Sequence, residues 1–162
     1  MSRHDSNRNW IIWLSFLISM VLQVIPWPAQ IHMFRPSWLE LAFIYWVMAL
    51  PHRVGIGSGF ALGLMTDLIF GSTFGIRALG LSLIACLVAF KFQLLRNMVL
   101  WQQAVVVVWL SLLMEMVAFF AEFFAKNSPF YPEILWGSLV NGILWPWMFL
   151  LMRKIRRQFS VQ

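Results

Sequence analysis

Four carboxylates stand inside long apolar runs: Glu40, Asp67, Glu115 and Glu122. On insertion scales an acid at the bilayer centre costs about 2.5–3.5 kcal/mol, and less near an interface, so each of these needs a reason to be there. Three kinds of chemistry are open to them: pairing with bases, lining a polar site for a partner or cavity, or relaying protons. Glu122 and Lys126 are four apart, the favoured order for a helical ion pair. Asp67 and Arg77 flank one short turn. Glu115 has no obvious base nearby, although Glu115 and Glu122, seven apart, share a helical face. A relay would also need a polar lane across the membrane, and elsewhere the apolar runs offer only scattered Ser, Asn and Gln. His4, His32 and His52 pair with no Cys or ligand-spaced acid, so no metal site is assigned. There is no nucleophile elbow, phosphate loop or Ser/His/Asp set, so no catalytic residue and no cofactor is assigned either.

A second pattern runs through Asp67. Gly55, Gly59, Gly63, Asp67, Gly71 and Gly75 recur every four residues. Residues four apart share a helical face. Small residues at that spacing let membrane helices approach closely. Each step of four drifts by about 40°, so the ladder is not one straight stripe. Gly55, Gly59, Gly63 and Asp67 make a groove on one helix. Gly71 and Gly75 belong to the turn that follows, where glycine permits backbone angles that other residues resist. With Arg77 these six are the candidates for partner binding or helix packing. Glu40, Glu115 and Glu122 are the candidate intramembrane polar residues.

The elements that must position these residues are membrane helices. Of the 162 residues, 61% are hydrophobic and 11% charged, against about 25% charged in soluble domains. Apolar segments repeat along the whole length, and no polar block is large enough to fold in water. The expected fold is an all-α integral membrane protein, a compact bundle of about six transmembrane helices in a single domain over residues 1–162. The spans fall at about 10–27, 37–50, 54–70, 78–95, 101–125 and 134–152. The second is short against the roughly 20 residues a straight span needs. Pro146 removes one backbone hydrogen bond and is expected to kink the last span. Cys86, lone in an apolar run, reads as a small buried hydrophobe.

Charge fixes the orientation. With six crossings and a cytoplasmic N-terminus, only Arg35, Arg77 and Lys126 of the twelve Lys and Arg lie outside. That is the bias cytoplasmic loops prefer. If the second segment failed to cross, the whole basic tail would move outside. Both termini are therefore expected in the cytoplasm. Trp10 and Trp101 sit at inner ends, and Trp27, Trp38 and Trp136 at outer ends, as an interfacial belt requires. No small-x-small site follows the first apolar run, so it reads as a retained helix rather than a cleaved signal. The net charge of +6 sits beside membrane segments, which argues against nucleic acid. The tail Arg153-Lys154-Ile155-Arg156-Arg157 reads as an anchor attracted to anionic membrane lipids. In this orientation Glu40, Asp67 and Glu122 share one outer layer with the three outside bases.

These residues also carry a family resemblance. Pro51-His52-Arg53-Val54-Gly55, then Gly59-Phe60, Gly63-Leu64-Met65-Thr66-Asp67, Gly71 and Gly75 resemble the signature of MreD, a family of bacterial rod shape-determining membrane proteins. Phe34-Arg35-Pro36, Trp101-Gln102-Gln103, Val140-Asn141-Gly142 and Trp145-Pro146-Trp147 extend it along the chain. The resemblance implies a non-enzymatic scaffold of the cell-wall elongation complex in the bacterial inner membrane. Its direct partner would be MreC, with MreB, RodZ, RodA and the penicillin-binding transpeptidase of RodA in the same assembly. A second copy of the chain is a further partner the groove could serve. The resemblance further implies a bundle similar to the substrate-binding subunits of energy-coupling vitamin transporters. A carrier of small molecules or lipids is accordingly the alternative, and it would need a polar cavity.

Overall fold

The short second segment is the centre of the molecule. In the computed structural model, which describes residues 3–71 and 73–159, helix α2 (Trp38–Ala49) buries every residue from Leu39 to Ala49. A helix that is apolar all round belongs in a core. Around α2 stand α1 (Arg3–Val24), α4 (Ile76–Phe90), α5 (Phe92–Asn97), α6 (Leu100–Lys126) and α7 (Ile134–Gln158), all in contact with it. Helix α3 (Ile56–Phe70) packs on α4. A 3-10 turn, Ala29–Phe34, leads from α1 into α2. No strand occurs among the described residues, so the all-α expectation holds.

Phe43 and Trp46 of α2, Phe16 of α1 and Trp145 of α7 are the largest side chains enclosed in the core. The Trp46 indole N–H donates to Ser15 Oγ at 2.8 Å, tying α2 to α1. The outside is apolar as well. Phe124, Trp147, Phe90 and Ile143 project from the bundle, as do Trp10, Trp13 and Leu17 along α1. A surface this apolar suits lipid rather than water. Helices α6 and α7 are long and apolar enough to cross a membrane unaided, and α1 to α4 contain shorter apolar helices.

Three details depart from the expectation. The first helix stops at Val24 rather than 27, because Pro26 and Pro28 cannot continue it. The fourth segment, expected as one span over 78–95, breaks at Lys91 into α4 and α5. The Gln103 amide N–H group satisfies the free end of α5, donating to Leu95 O at 2.8 Å and Met98 O at 3.4 Å. Cys86 is exposed on the outward side of α4, not buried. Helix α7 runs through Pro146 as one helix. The hydrogen bond that Pro146 cannot make would fall on Gly142 four residues earlier.

Candidate functional site

The glycine ladder divides into three groups. A Cβ on Gly59 would stand 2.8 Å from Phe43 Cζ and 3.0 Å from the Leu81 carbonyl oxygen. On Gly63 it would collide with the Ala78 backbone and lie 2.6 Å from the Arg77 carbonyl carbon. These two glycines bring α3 against α4, so the groove is filled by the chain's own next helix. Gly55, at the start of α3, has only Pro51 O at 3.9 Å and does not line that contact. Gly71 and Gly75 take φ of +60° and +96°, which carry the chain from α3 into α4. Ser72 of this turn lies outside the described residues.

Asp67 closes the turn from below. It is buried, and Gly75 N–H donates to its Oδ2 at 2.9 Å. Arg77 Nε lies 3.9 Å from its Oδ1. Two further close contacts complete the helix packing, the second at the Asn141-Gly142 pair of the last span. Gly80 of α4 meets Met114 of α6, and Gly142 of α7 meets Val108 of α6.

Above α2, at the end where α3 turns into α4, the bundle holds a cavity of about 790 Å³. Arg35, Glu40, Arg77 and Glu115 line it, with Trp27, Phe70 and Met114 among its apolar walls. The chain segments converge here for definite reasons. Pro36 and the 3-10 turn place Arg35 just before α2. Glu40 sits in the first turn of α2. The αL glycines swing Arg77 back over the end of α3. Both guanidiniums face the Phe70 ring, Arg77 at 4.8 Å and Arg35 at 5.6 Å from its centroid. Burial, and then the charge of Arg77, hold the Arg35 guanidinium below its usual range. Arg35 Nε and one terminal nitrogen are shut off from solvent and have no hydrogen-bond partner among the described residues.

A polar network underlies the cavity. Asn141 Oδ1 accepts from Ser37 N–H at 2.9 Å, and the Asn141 amide donates to Ser111 Oγ at 3.1 Å. One side chain thus joins the N-terminus of α2 to α6 and α7. Ser111 and Ser37 stand beside the Glu40 carboxyl, whose Oε1 is unpartnered among the described residues.

The structure therefore brings Arg35, Arg77, Glu40 and Glu115 together, with Asp67 behind Arg77. Glu115, expected to lack a nearby base, shares its cavity with Arg77. Glu122 is half-buried one helix segment further along α6 and does not line the cavity. Asn141 and Ser111 were not singled out as site residues. The signal for Asn141 was a polar side chain beside glycine in an apolar run, and for Ser111 there was no comparable signal. No cluster of His, Cys, Asp and Glu able to hold a metal ion occurs among the described residues.

Comparison with known proteins gives a consistent result. A family model described as rod shape-determining protein MreD matches residues 4–155. The curated "Rod shape-determining protein MreD" of Haemophilus influenzae is 44% identical over 154 residues, spanning 94% of this chain and 95% of that relative. No solved structure matches.

Proposed function

The chain belongs to the rod shape-determining MreD family, whose role is in cell shape and which is not a family of enzymes, and from that premise we propose that it is a membrane scaffold of the cell-wall elongation complex. In this reading it docks MreC and helps control lateral peptidoglycan synthesis. MreB, RodZ, RodA and the transpeptidase join the same assembly. The protein crosses the inner membrane six times with both termini in the cytoplasm.

The observation that carries the reading is the outward face of α6. Trp101, Val105, Trp109, Met116 and Phe120 are exposed along one side of that helix, with half-buried Leu112 and Leu113 between Trp109 and Met116. Connections between helices are short, so a partner must meet the bundle within the membrane or at its thin rims. The glycine groove is not available for this, because α4 covers Gly59 and Gly63. In lipid, helices associate through close packing and a few polar contacts. The test is photo-crosslinking in living cells from Val105, Trp109 and Phe120 of α6 and from Leu17 of α1. Crosslinks to MreC from one contiguous face are expected. Silence from every outward face would remove the scaffold reading.

The outer cavity favours a second role beside the first. A carrier or lipid-binding subunit needs a polar cavity, and 790 Å³ falls within the usual range of ligand sites. Native mass spectrometry of the purified chain tests it directly. A retained small molecule or lipid is the expected outcome.

A further inference from the structure

The cavity has two electrically different parts. At its rim two guanidiniums converge on one aromatic ring, and only Arg77 has a carboxylate within 4 Å in the described structure. The Arg35 donors shut off from solvent point to a missing acceptor. A buried donor left without a partner costs about 1–3 kcal/mol, and more when charged. A planar guanidinium is matched to a phosphate or carboxylate. The inner wall has the opposite character. Glu40 is 6% exposed and lines the cavity with an unpartnered Oε1. Glu115, on α6, brings a second carboxyl close enough to interact with it. Two carboxyls on a largely dehydrated wall, Glu40 beside Ser37 and Ser111 and both within the field of Arg77, still gain from a hydrogen-bond donor that carries positive charge.

We propose that this cavity binds a small zwitterion, its anionic group held between Arg35 and Arg77 and its ammonium held by Glu40 and Glu115. The chemistry is that of a phosphate joined by a short linker to a primary ammonium, as in phosphoethanolamine. Trp27 and Phe70 supply the apolar walls on either side. The unit could arrive free from the outer aqueous side or as the headgroup of a lipid. Both present the same groups to the same four residues. The proposal rests on the ligand-binding reading above and narrows it to one class.

The purified full-length chain in detergent is titrated with four probes, following the thermal midpoint by tryptophan fluorescence. They are phosphatidylethanolamine, soluble glycerophosphoethanolamine, phosphatidylglycerol and phosphatidylcholine. Saturable stabilisation by one or both ethanolamine compounds is expected, at least tenfold tighter than by the glycerol or choline lipid. Phosphatidylglycerol lacks the cation, and phosphatidylcholine has no N–H to donate. Binding of the soluble compound identifies a free zwitterion as the source, and binding of the lipid alone identifies the headgroup. Arg35→Gln, Glu40→Gln and Glu115→Gln should each weaken binding at least tenfold, while Arg35→Lys retains most of it. Unliganded midpoints identify any variant that is misfolded, and the half-buried Glu115 serves if Glu40→Gln is. Phosphatidylglycerol binding as tightly as the ethanolamine lipid overturns the zwitterion and leaves a ligand site standing. No saturable binding of any probe also overturns it. If the mass spectrum then shows no retained molecule, the ligand-binding reading falls too.

Discussion

Replacing Gly63 with alanine adds one methyl group where α3 and α4 already touch. That methyl would sit 2.6 Å from the Arg77 carbonyl carbon and closer still to backbone atoms of Ala78. Backbone cannot swing aside as a side chain can. Ordinary contact begins at about 3.4 Å, so α4 must retreat by roughly 1 Å along the interface. Overpacking of this kind costs about 1–3 kcal/mol, occasionally more. Alanine's better helix propensity returns up to about 1 kcal/mol. Because the clash is with backbone the upper half of that range applies, and the net expectation is a loss of about 1–2 kcal/mol. Gly59→Ala meets the end of the Phe43 ring and then the Leu81 backbone at 3.0 Å, and should cost less. Gly57, in the same helix, has nothing within 4 Å, so Gly57→Ala should be neutral or stabilise by up to about 1 kcal/mol. The assay is thermal unfolding in detergent read by fluorescence-detected gel filtration. The expected order of midpoints is Gly57→Ala, wild type, Gly59→Ala, Gly63→Ala. A Gly63→Ala protein as stable as Gly57→Ala would refute the packing argument.

Three further outcomes follow from the geometry. Asp67→Ala leaves Gly75 N–H without its acceptor and should cost about 1–3 kcal/mol, whereas Asp67→Asn keeps an oxygen for that bond and should cost less; both are read as thermal midpoints. Asn141→Leu orphans Ser37 N–H and removes one of the two hydrogen bonds of Ser111, which keeps Glu40, so it should destabilise by about 1–3 kcal/mol; an unchanged midpoint would show that water satisfies Ser37. An alkaline phosphatase fused after Gln162 should be inactive, and one inserted between Asn127 and Pro132 active; activity at Gln162 would overturn the six-crossing topology.

The sequence and the structure agree most where periodicity carries information. Apolar runs marked the helical regions, although α1 starts at Arg3 rather than 10 and the fourth region is two helices. Of the expected outer layer, Arg35, Arg77 and Glu40 meet in one cavity with Asp67 behind Arg77, whereas Glu122 and Lys126 do not line it. What a repeat of four does not carry is the identity of the neighbour. It marked a close-approach face on α3 without saying that α4, rather than another protein, occupies it. The break at Lys91 was invisible for a similar reason. Its local sequence is apolar on both sides, and the end of α5 is secured by Gln103 from the following helix. Glu115 looked isolated because Arg77, which shares its cavity, is 38 positions earlier and comes near only through the packing of α4 on α6. Cavities lie furthest from sequence, since the empty space above α2 is defined by residues from almost every segment.

Helix α2 has a consequence for how the protein is made. Twelve residues span about 18 Å, well short of a hydrocarbon layer about 30 Å thick. Alone in a bilayer, α2 would pull polar chain ends into the hydrocarbon or thin the bilayer around itself. It is comfortable only once α1, α4, α6 and α7 have closed around it. In the proposed topology its final placement therefore waits for α6 and α7, which begin 51 and 85 positions beyond its end.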